Sequence, residues 1–163
     1  MIQTARLNLR PWRVTDAEPL VEICSDPAVM RFVGDGVVWS RSRCQEFIEQ
    51  NQRSLGDIGF CQWAVEVRET SELIGFCGFV PRGGDVEIGW RIGTLFQQQG
   101  YGLEAARAVV DSRSEVSKRI FATIQTENLP SKRLAERLGM RPVEFFLRDG
   151  RELQVYQLEL PSR

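Results

Sequence analysis

The hydrophobic pattern between positions 63 and 92 constrains the fold of this chain most strongly. Residues 63–68 and 86–92 alternate between apolar and small or polar side chains, which is the period of a strand with one buried face. The segment 72–80 between them is apolar on both faces, as a central strand would be. Three strands in succession predict an antiparallel meander, and Gly89 inside the third strand suggests a bulge or a close backbone approach.

Helical periodicity and cap residues place the remaining elements around this meander. Strands are predicted at 6–10, at 119–124 and on both sides of an Asp149–Gly150 hairpin turn. Helices are predicted to begin near Asp16, at Ser40 or Ser42, at Leu103 and near Asn128, and the third is expected to reach residue 116. The strand–helix–strand order after the meander predicts one parallel crossover. The fold class is therefore α+β (mixed α/β), with a mixed, mostly antiparallel central sheet and helices on both faces.

Composition and charge exclude several classes of function. The 163 residues, of which 42% are hydrophobic, are expected to form one domain with a sizeable core. A net charge of −1 without a basic block argues against nucleic acid or an anionic membrane as a partner. The chain has no histidine, so catalysis through imidazole and Ser-His-Asp triads are excluded.

The cysteines and the N-terminus indicate the compartment. Cys24, Cys44, Cys61 and Cys77 form no C-x-x-C pair, and we interpret them as small buried side chains in a reducing environment, with no metal. Residues 1–12 lack the apolar region of a signal peptide, and no apolar run is long enough to cross a bilayer. We therefore expect a cytoplasmic protein, as a monomer or a homodimer.

The stretch "FQQQGYG" at 96–102 joins the third strand of the meander to a helix. Unpaired N–H groups at a helix start carry partial positive charge, and a loop with small side chains lets a phosphate approach them. The alternative is a plain turn in which Gly100 and Gly102 supply backbone freedom. The chain contains neither a Walker A sequence nor a Rossmann fingerprint, so the loop by itself leaves both interpretations open.

Two motifs in fold order give the chain a resemblance to a known family. "QQQGYG" fits the Q/R-x-x-G-x-G/A loop of the GNAT family of N-acetyltransferases, and "ENLPSKRLAERLGM" from Glu127 resembles the next motif of that family. The order of predicted elements also resembles the GNAT fold from one end to the other. "RLNLRPW" and "VEIGWRIG" look like the RimJ/RimL-like branch. The resemblance implies direct transfer of an acetyl group from acetyl-CoA to a protein N-terminus or a small-molecule amine.

The resemblance implies an acetyl-CoA site with three parts. The pyrophosphate would lie on backbone amides from Gln98 to Gly102, and the pantetheine would pair with the preceding strand like an added strand. A backbone N–H of that strand would stabilise the oxyanion. Asn128 would bond the pantetheine amides, or cap its helix. The residues assigned to acetyl-CoA are Trp90, Arg91, Ile92, Gln97, Gln98, Gln99, Gly100, Tyr101, Gly102, Asn128 and Ser131.

The catalytic residues implied by the resemblance are Glu87 and Ser131. The amine must lose its proton to a base or along a water path, and without histidine the remaining candidate bases are carboxylates. Glu87 lies on the strand that would meet the thioester and would act directly or through water. A purely structural partnership is the alternative for Glu87. Ala135 stands where many members carry a tyrosine acid, so Ser131 would protonate the leaving thiolate; the alternative is an ordinary first-turn serine.

The acceptor site is the least defined part of the prediction. By resemblance, the segments 31–39 and 57–62 would form its wall. Asp35 and Glu87 would attract a cationic amine, and Trp39 and Phe60 would pack on an apolar part of it. The missing tyrosine and histidine leave a second hypothesis, a non-catalytic GNAT-fold module that holds an acyl-CoA without turnover.

Overall fold

A computed structural model describes residues 1–112 and 119–160, which form an eight-stranded mixed sheet with helices on both faces. The strands are β1 (Ile2–Gln3), β2 (Leu7–Arg10), β3 (Gln62–Val67), β4 (Leu73–Arg82), β5 (Asp85–Ile92), β6 (Arg119–Gln125), β7 (Arg141–Arg148) and β8 (Arg151–Glu159). The helices are α1 (Ala17–Cys24), α2 (Pro27–Met30), α3 (Arg41–Ile58), α4 (Tyr101–Ser112) and α5 (Leu129–Arg137). The predicted continuation of α4 to residue 116 lies outside the described residues.

The sheet has the strand order β1-β2-β3-β4-β5-β6-β8-β7. The β5–β6 pair is parallel, and the other neighbouring pairs are antiparallel. This confirms the predicted mixed, mostly antiparallel sheet and its parallel crossover. The Asp149–Gly150 hairpin is also confirmed, because both residues have positive φ and Arg148 pairs with Arg151.

Two short elements were not predicted, because neither is long enough to show a period. The two-residue strand β1 pairs with β2 at the edge of the sheet. The single turn of α2 begins at Pro27, and the carboxylate of Asp26 accepts the Ala28 N–H at 2.9 Å. Helix α1 begins after Asp16, as predicted, but that carboxylate accepts the Arg13 N–H instead of capping α1.

The core has two layers, one on each face of the sheet. Helices α4 and α5 bury their small side chains, such as Ala106 and Ala135, against one face. Helices α1, α2 and α3 cover the other face, where Trp12, Phe47 and Phe76 form an edge-to-face aromatic cluster. This arrangement confirms that helices lie on both faces.

Both faces of β3 and of the second half of β5 are buried, which the alternating pattern did not predict. Glu66 on β3 is 6% exposed because Arg10 donates to its carboxylate at 2.6 Å. Arg10 also binds the buried Asp16 with two further bonds of 2.8 and 2.9 Å. Arg91 on β5 is 9% exposed. A charged residue in an alternating strand therefore does not mark the solvent face when helices cover both sides.

Gly89 marks neither a bulge nor a close approach of another backbone: a side chain, that of Gln62, packs against it. The β4–β5 register runs without a shift from Gly75↔Ile92 to Arg82↔Asp85. A Cβ atom on Gly89 would lie 2.6 Å from the side-chain nitrogen of Gln62. Within the described residues, no helix is long and apolar enough to span a membrane.

Candidate active site

The sheet opens between β5 and β6. These strands pair at Val86↔Ile120 and Glu87↔Phe121, after which β5 continues along β4 while β6 continues along β8. Glu87 lies where the strands separate: its Oε1 accepts the Thr123 N–H at 3.1 Å, and Arg82 donates to its Oε2 at 3.4 Å. Glu87 therefore accepts a hydrogen bond from the backbone N–H of Thr123 at the point where the two strands separate.

A cleft of about 380 Å³ occupies this opening. It is lined by Ala28, Val29, Phe32, Val33, Trp90, Arg91, Ile92, Phe96, Gln97, Gln98, Gly100, Tyr101, Gly102, Leu103, Asn128, Pro130, Ser131, Arg133, Leu134 and Arg137. Every residue that the sequence assigned to acetyl-CoA is in this set except Gln99. The structure therefore brings together one site from β5, the glycine loop, α4 and α5.

The glycine loop is held in a curled conformation at the start of α4. Gln98 and Gly100 both have left-handed backbones, with φ of 60° and 84°. The Gly100 carbonyl accepts the Glu104 N–H at 3.0 Å, so the amides of the first turn of α4 have no partner within the helix. The Gln97 side chain donates to the Ile92 carbonyl at 2.8 Å and ties the loop to β5. These free amides beside a cleft provide a place for an anion.

Gly102 is required for packing and not for its backbone angle. A Cβ atom there would lie 3.1 Å from Cδ1 of Leu134 and 3.7 Å from Cγ1 of Ile92. Its hydrogen lets α4 approach α5 at the floor of the cleft.

Arg6 anchors the glycine loop from the start of the chain, a role that the sequence did not reveal. Its Nη1 donates to the Gln99 carbonyl at 3.0 Å, and its Nε donates to Glu104 at 2.7 Å. The guanidinium also lies 4.3 Å from the centre of the Tyr101 ring. Thr4 donates to the same Glu104 carboxylate at 2.6 Å. Burial raises the pKa of Glu104, but the bonds from Thr4 and Arg6 outweigh it and lower this pKa.

The edge of β5 that faces the cleft presents backbone groups of Trp90 and Ile92. The Gly93 N–H bonds to the Ile74 carbonyl at 2.8 Å, and hydrogen-bonded pairs alternate in an antiparallel ladder. The backbone of Arg91 is therefore directed to Phe76 on β4, while Trp90 and Ile92 are directed to the opening. The side chains of Trp90 and Arg91 point to opposite faces of the sheet.

Helix α5 forms the wall opposite β5. Asn128 caps it, because Oδ1 of Asn128 accepts the Ser131 N–H at 3.3 Å, and this confirms the capping role. The indole N–H of Trp90 donates to the Ser131 hydroxyl oxygen at 3.1 Å. This bond leaves the hydroxyl proton of Ser131 available for donation.

The side chains predicted for the acceptor lie outside the lining of the cleft. Asp35 accepts the Val37 N–H at 3.0 Å within its own loop. Trp39 packs on Phe47 with ring centres 5.2 Å apart, and Phe60 packs on Phe79 at 6.5 Å. Glu87 is held by Thr123 as described above.

Two more elements complete the cleft wall: α2 with the loop after it, which overlaps the segment 31–39 predicted to wall the acceptor site, and α5. Val29, Phe32 and Val33 line it from α2 and the following loop. Arg133 and Arg137 line it from α5, one turn apart. The helical spacing of these arginines was a usable signal, whereas α2 is too short to show a period.

All four cysteines are buried, as predicted, and none forms a disulfide. Burial raises the pKa of the Cys44 thiol to about 11 and of the Cys61 thiol to about 12. A protonated, enclosed thiol is a poor nucleophile. The described residues contain no cluster of three or more side chains suited to a metal ion.

A sheet that opens beside a glycine loop at a helix start is the architecture of a GNAT acetyltransferase. Residues 6–141 match the family described as Acetyltransferase (GNAT) domain, so the chain belongs to this family and is an acetyltransferase. It is 32% identical to the uncharacterized N-acetyltransferase YnaD of Bacillus subtilis (strain 168) over 149 residues, covering 89% of this chain and 85% of YnaD.

Solved structures agree with this assignment. A GNAT-family acetyltransferase from Bacillus anthracis superposes with a TM-score of 0.86 at 27% identity, covering 97% of each chain. RimL, a ribosomal L7/L12 alpha-N-protein acetyltransferase in complex with coenzyme A, superposes with a TM-score of 0.82 at 16% identity, covering 96% of each chain. At this identity the likeness to RimL concerns the fold alone.

Proposed function

We propose that this protein transfers the acetyl group of acetyl-CoA directly to a primary amine in a ternary complex. The observation that carries the proposal is the cleft, which joins the open edge of β5, the amides at the start of α4 and the Ser131 hydroxyl. These are a hydrogen-bonding edge, an anion site and a proton donor, and acetyl transfer from a CoA thioester needs all three.

Acetyl-CoA is proposed to enter with its pyrophosphate on the amides of residues 98–102. Gln98 and Gly100, both with positive φ, line the cleft, and Arg133 and Arg137 add positive charge on its α5 side. The pantetheine would pair with the edge of Trp90 and Ile92. Asn128 would contribute through its cap, because the same amide side chain fixes the first turn of α5.

The proposed reaction forms one bond and breaks one. The amine nitrogen bonds to the acetyl carbonyl carbon, and the carbon–sulfur bond of the thioester breaks. One proton leaves the amine and one proton reaches the thiolate, which gives CoA with a free thiol. A backbone N–H at the edge of β5 would stabilise the oxyanion, and Ser131 would donate the proton to sulfur.

Glu87 is proposed to have mainly a positioning role. Its carboxylate binds the Thr123 N–H and Arg82 and does not line the cleft. It holds β5 and β6 at the point where they separate. The amine would then lose its proton to water, since an α-amino group with a pKa near 8 is partly neutral at pH 8.

We also propose an acceptor class, a branch of the family, a compartment and an oligomeric state for this protein. The acceptor is a protein N-terminus or a small-molecule amine, and the motifs "RLNLRPW" and "VEIGWRIG" support a RimJ/RimL-like member. We propose that residues 1–163 act as one domain, as a cytoplasmic monomer or homodimer that needs no metal.

The test is a broad panel of amines scored by release of the CoA thiol. Amino acids, polyamines and peptides with free N-termini would each be incubated with acetyl-CoA and the protein. Thiol release with one class of amine, above hydrolysis without amine, is the expected result. If acetyl-CoA raises the melting temperature but no amine releases thiol, the protein is a non-catalytic acyl-CoA-binding module.

A further inference from the structure

Arg91 occupies an unusual environment on the face of the sheet opposite Ser131. Its guanidinium carbon lies 4.3 Å from the centre of the Trp39 ring and 4.8 Å from the centre of the Phe76 ring. Its Nη1 donates to Sγ of Cys24 at 3.4 Å. The residue is only 9% exposed, so this cation is held between two aromatic rings and a thiol.

The positive charge of Arg91 has no acidic partner among residues 1–112 and 119–160. Its Nε is buried and donates to no acceptor there. Arg10, the other arginine that is buried among the described residues, binds two carboxylates. Burial lowers the pKa of Arg91, the direction expected for a buried cation without a carboxylate beside it. An orphan donor on a buried cation is expensive unless a ligand supplies the acceptor.

The position of Arg91 in the cleft excludes the phosphates of acetyl-CoA as that ligand. The proposed phosphate site lies on the α4 and α5 face, whereas the Arg91 guanidinium lies among side chains of the α1 and α3 face. Arg91 also lines the cleft next to Val29, Phe32 and Val33, none of which carries a charge. Among the described residues, the lining of the cleft contains no carboxylate, so an acceptor anion on this side would meet no competing acid.

We propose that Arg91 binds a carboxylate of the acceptor, so that the acceptor is a small amine that also carries a carboxylate, as an amino acid does. This inference rests on the proposed acetyl transfer. Arg43 adds positive charge near the proposed carboxylate site. Its guanidinium lies 5.0 Å from the Trp39 ring, which Arg91 also contacts. Trp39 was predicted to pack on an apolar part of the acceptor; in this proposal it would instead support the guanidinium of Arg91.

The experiment compares each amino acid with its own carboxamide, which keeps the amine and removes the negative charge. The parent protein should acetylate the acid with a kcat/KM at least about tenfold above that of the amide, since a charge-assisted bond is made with one and not the other. Arg91→Met should lower kcat/KM for the acids about 10- to 100-fold and leave the amides within about threefold. Arg91→Lys should retain part of the activity on acids that Arg91→Met loses. Arg53→Met, which replaces an exposed arginine on α3, should leave kcat/KM for both acids and amides unchanged.

Equal use of acids and amides by the parent protein would overturn the proposal, and so would an equal loss on both in Arg91→Met. The first comparison needs no variant, so a misfolded Arg91→Met does not remove the test. A calorimetric titration with N-acetylated amino acids in the presence of CoA gives an independent result. Binding by the parent that is lost in Arg91→Met supports the anion site even when no amine is turned over, and absence of binding by the parent contradicts it.

Discussion

The indole N–H of Trp90 donates to the hydroxyl oxygen of Ser131 across the opening of the sheet, at 3.1 Å. Trp90 belongs to β5 and Ser131 to the first turn of α5, so the bond joins two elements that line the cleft. It orients the serine with its proton free, beside the strand edge proposed to hold the thioester.

Replacing the Ser131 hydroxyl should slow the reaction more than it weakens acetyl-CoA binding. We expect Ser131→Ala to lower kcat about 100-fold, at the low end of acid catalysis because a thiolate leaves readily, with the KM for acetyl-CoA nearly unchanged. Trp90→Phe removes only the orienting bond and should cost about 2- to 10-fold. Ser131→Thr, which keeps a hydroxyl, is the control. A Ser131→Ala enzyme with parental kcat would remove the serine from the mechanism.

A side chain at Gly102 should impair acetyl-CoA binding without a comparable effect on folding. Gly102→Val pushes against Leu134 and Ile92 and separates α4 from α5 at the floor of the cleft. We expect at least about a tenfold rise in the Kd for acetyl-CoA, measured by calorimetry. Gly84→Val is the matched control, since a Cβ atom at Gly84 meets no atom within 4 Å. Equal affinities in the two variants would show that the floor of the cleft is not part of the binding site.

Loss of the Arg6 anchor should loosen the glycine loop. Arg6→Met removes the bonds to Gln99 and Glu104, so the loop amides would be ordered only when the ligand binds. We expect affinity for acetyl-CoA to fall roughly tenfold and the ligand-induced rise in melting temperature to shrink. Arg13→Met, at an exposed arginine after β2 that does not contact the glycine loop, should keep the full rise. The same rise in Arg6→Met would mean that the loop holds its conformation unaided.

Glu87→Gln should retain most of the activity. Its side-chain oxygen can still accept the Thr123 N–H, so we expect kcat within about threefold of the parent, since one modest hydrogen-bond difference is involved. Glu87→Leu should lower both melting temperature and activity, because the Thr123 donor would lose its partner. A loss near 100-fold in Glu87→Gln with an unchanged melting temperature would instead make Glu87 the general base.

The buried network of Arg10, Asp16 and Glu66 should carry a large share of the stability. Asp16→Ala leaves Arg10 partly unpaired in the core and should reduce the free energy of unfolding by about 3–5 kcal/mol in urea titrations. The exposed pair between Glu18 and Arg41 supplies the control, and Glu18→Gln should change the free energy of unfolding by less than about 1 kcal/mol. Similar losses in both variants would contradict the role assigned to burial.

Local chemistry explains why much of the fold was predictable. Gly139, with φ of 90°, ends α5, and Ser40 caps α3 by accepting the Arg43 N–H at 3.3 Å. Both act through neighbours in the chain, so the sequence displays them. The pairing of β6 with β8, which places β7 at the edge, depends on contacts between distant segments and was not predicted.

The sequence by itself determined the order of the longer elements, the glycine loop before α4 and the Asn128 cap of α5, because periodicity, caps and turn residues are local properties. The tertiary structure decided which of these meet. It directed the Trp90 indole to Ser131 and paired Glu87 with the Thr123 N–H, and within the part of the chain that the structure describes it left Arg91 buried without a carboxylate partner. The physical reason is that burial and charge pairing depend on the elements that pack against both faces of a strand. The sequence of the strand itself does not specify those elements.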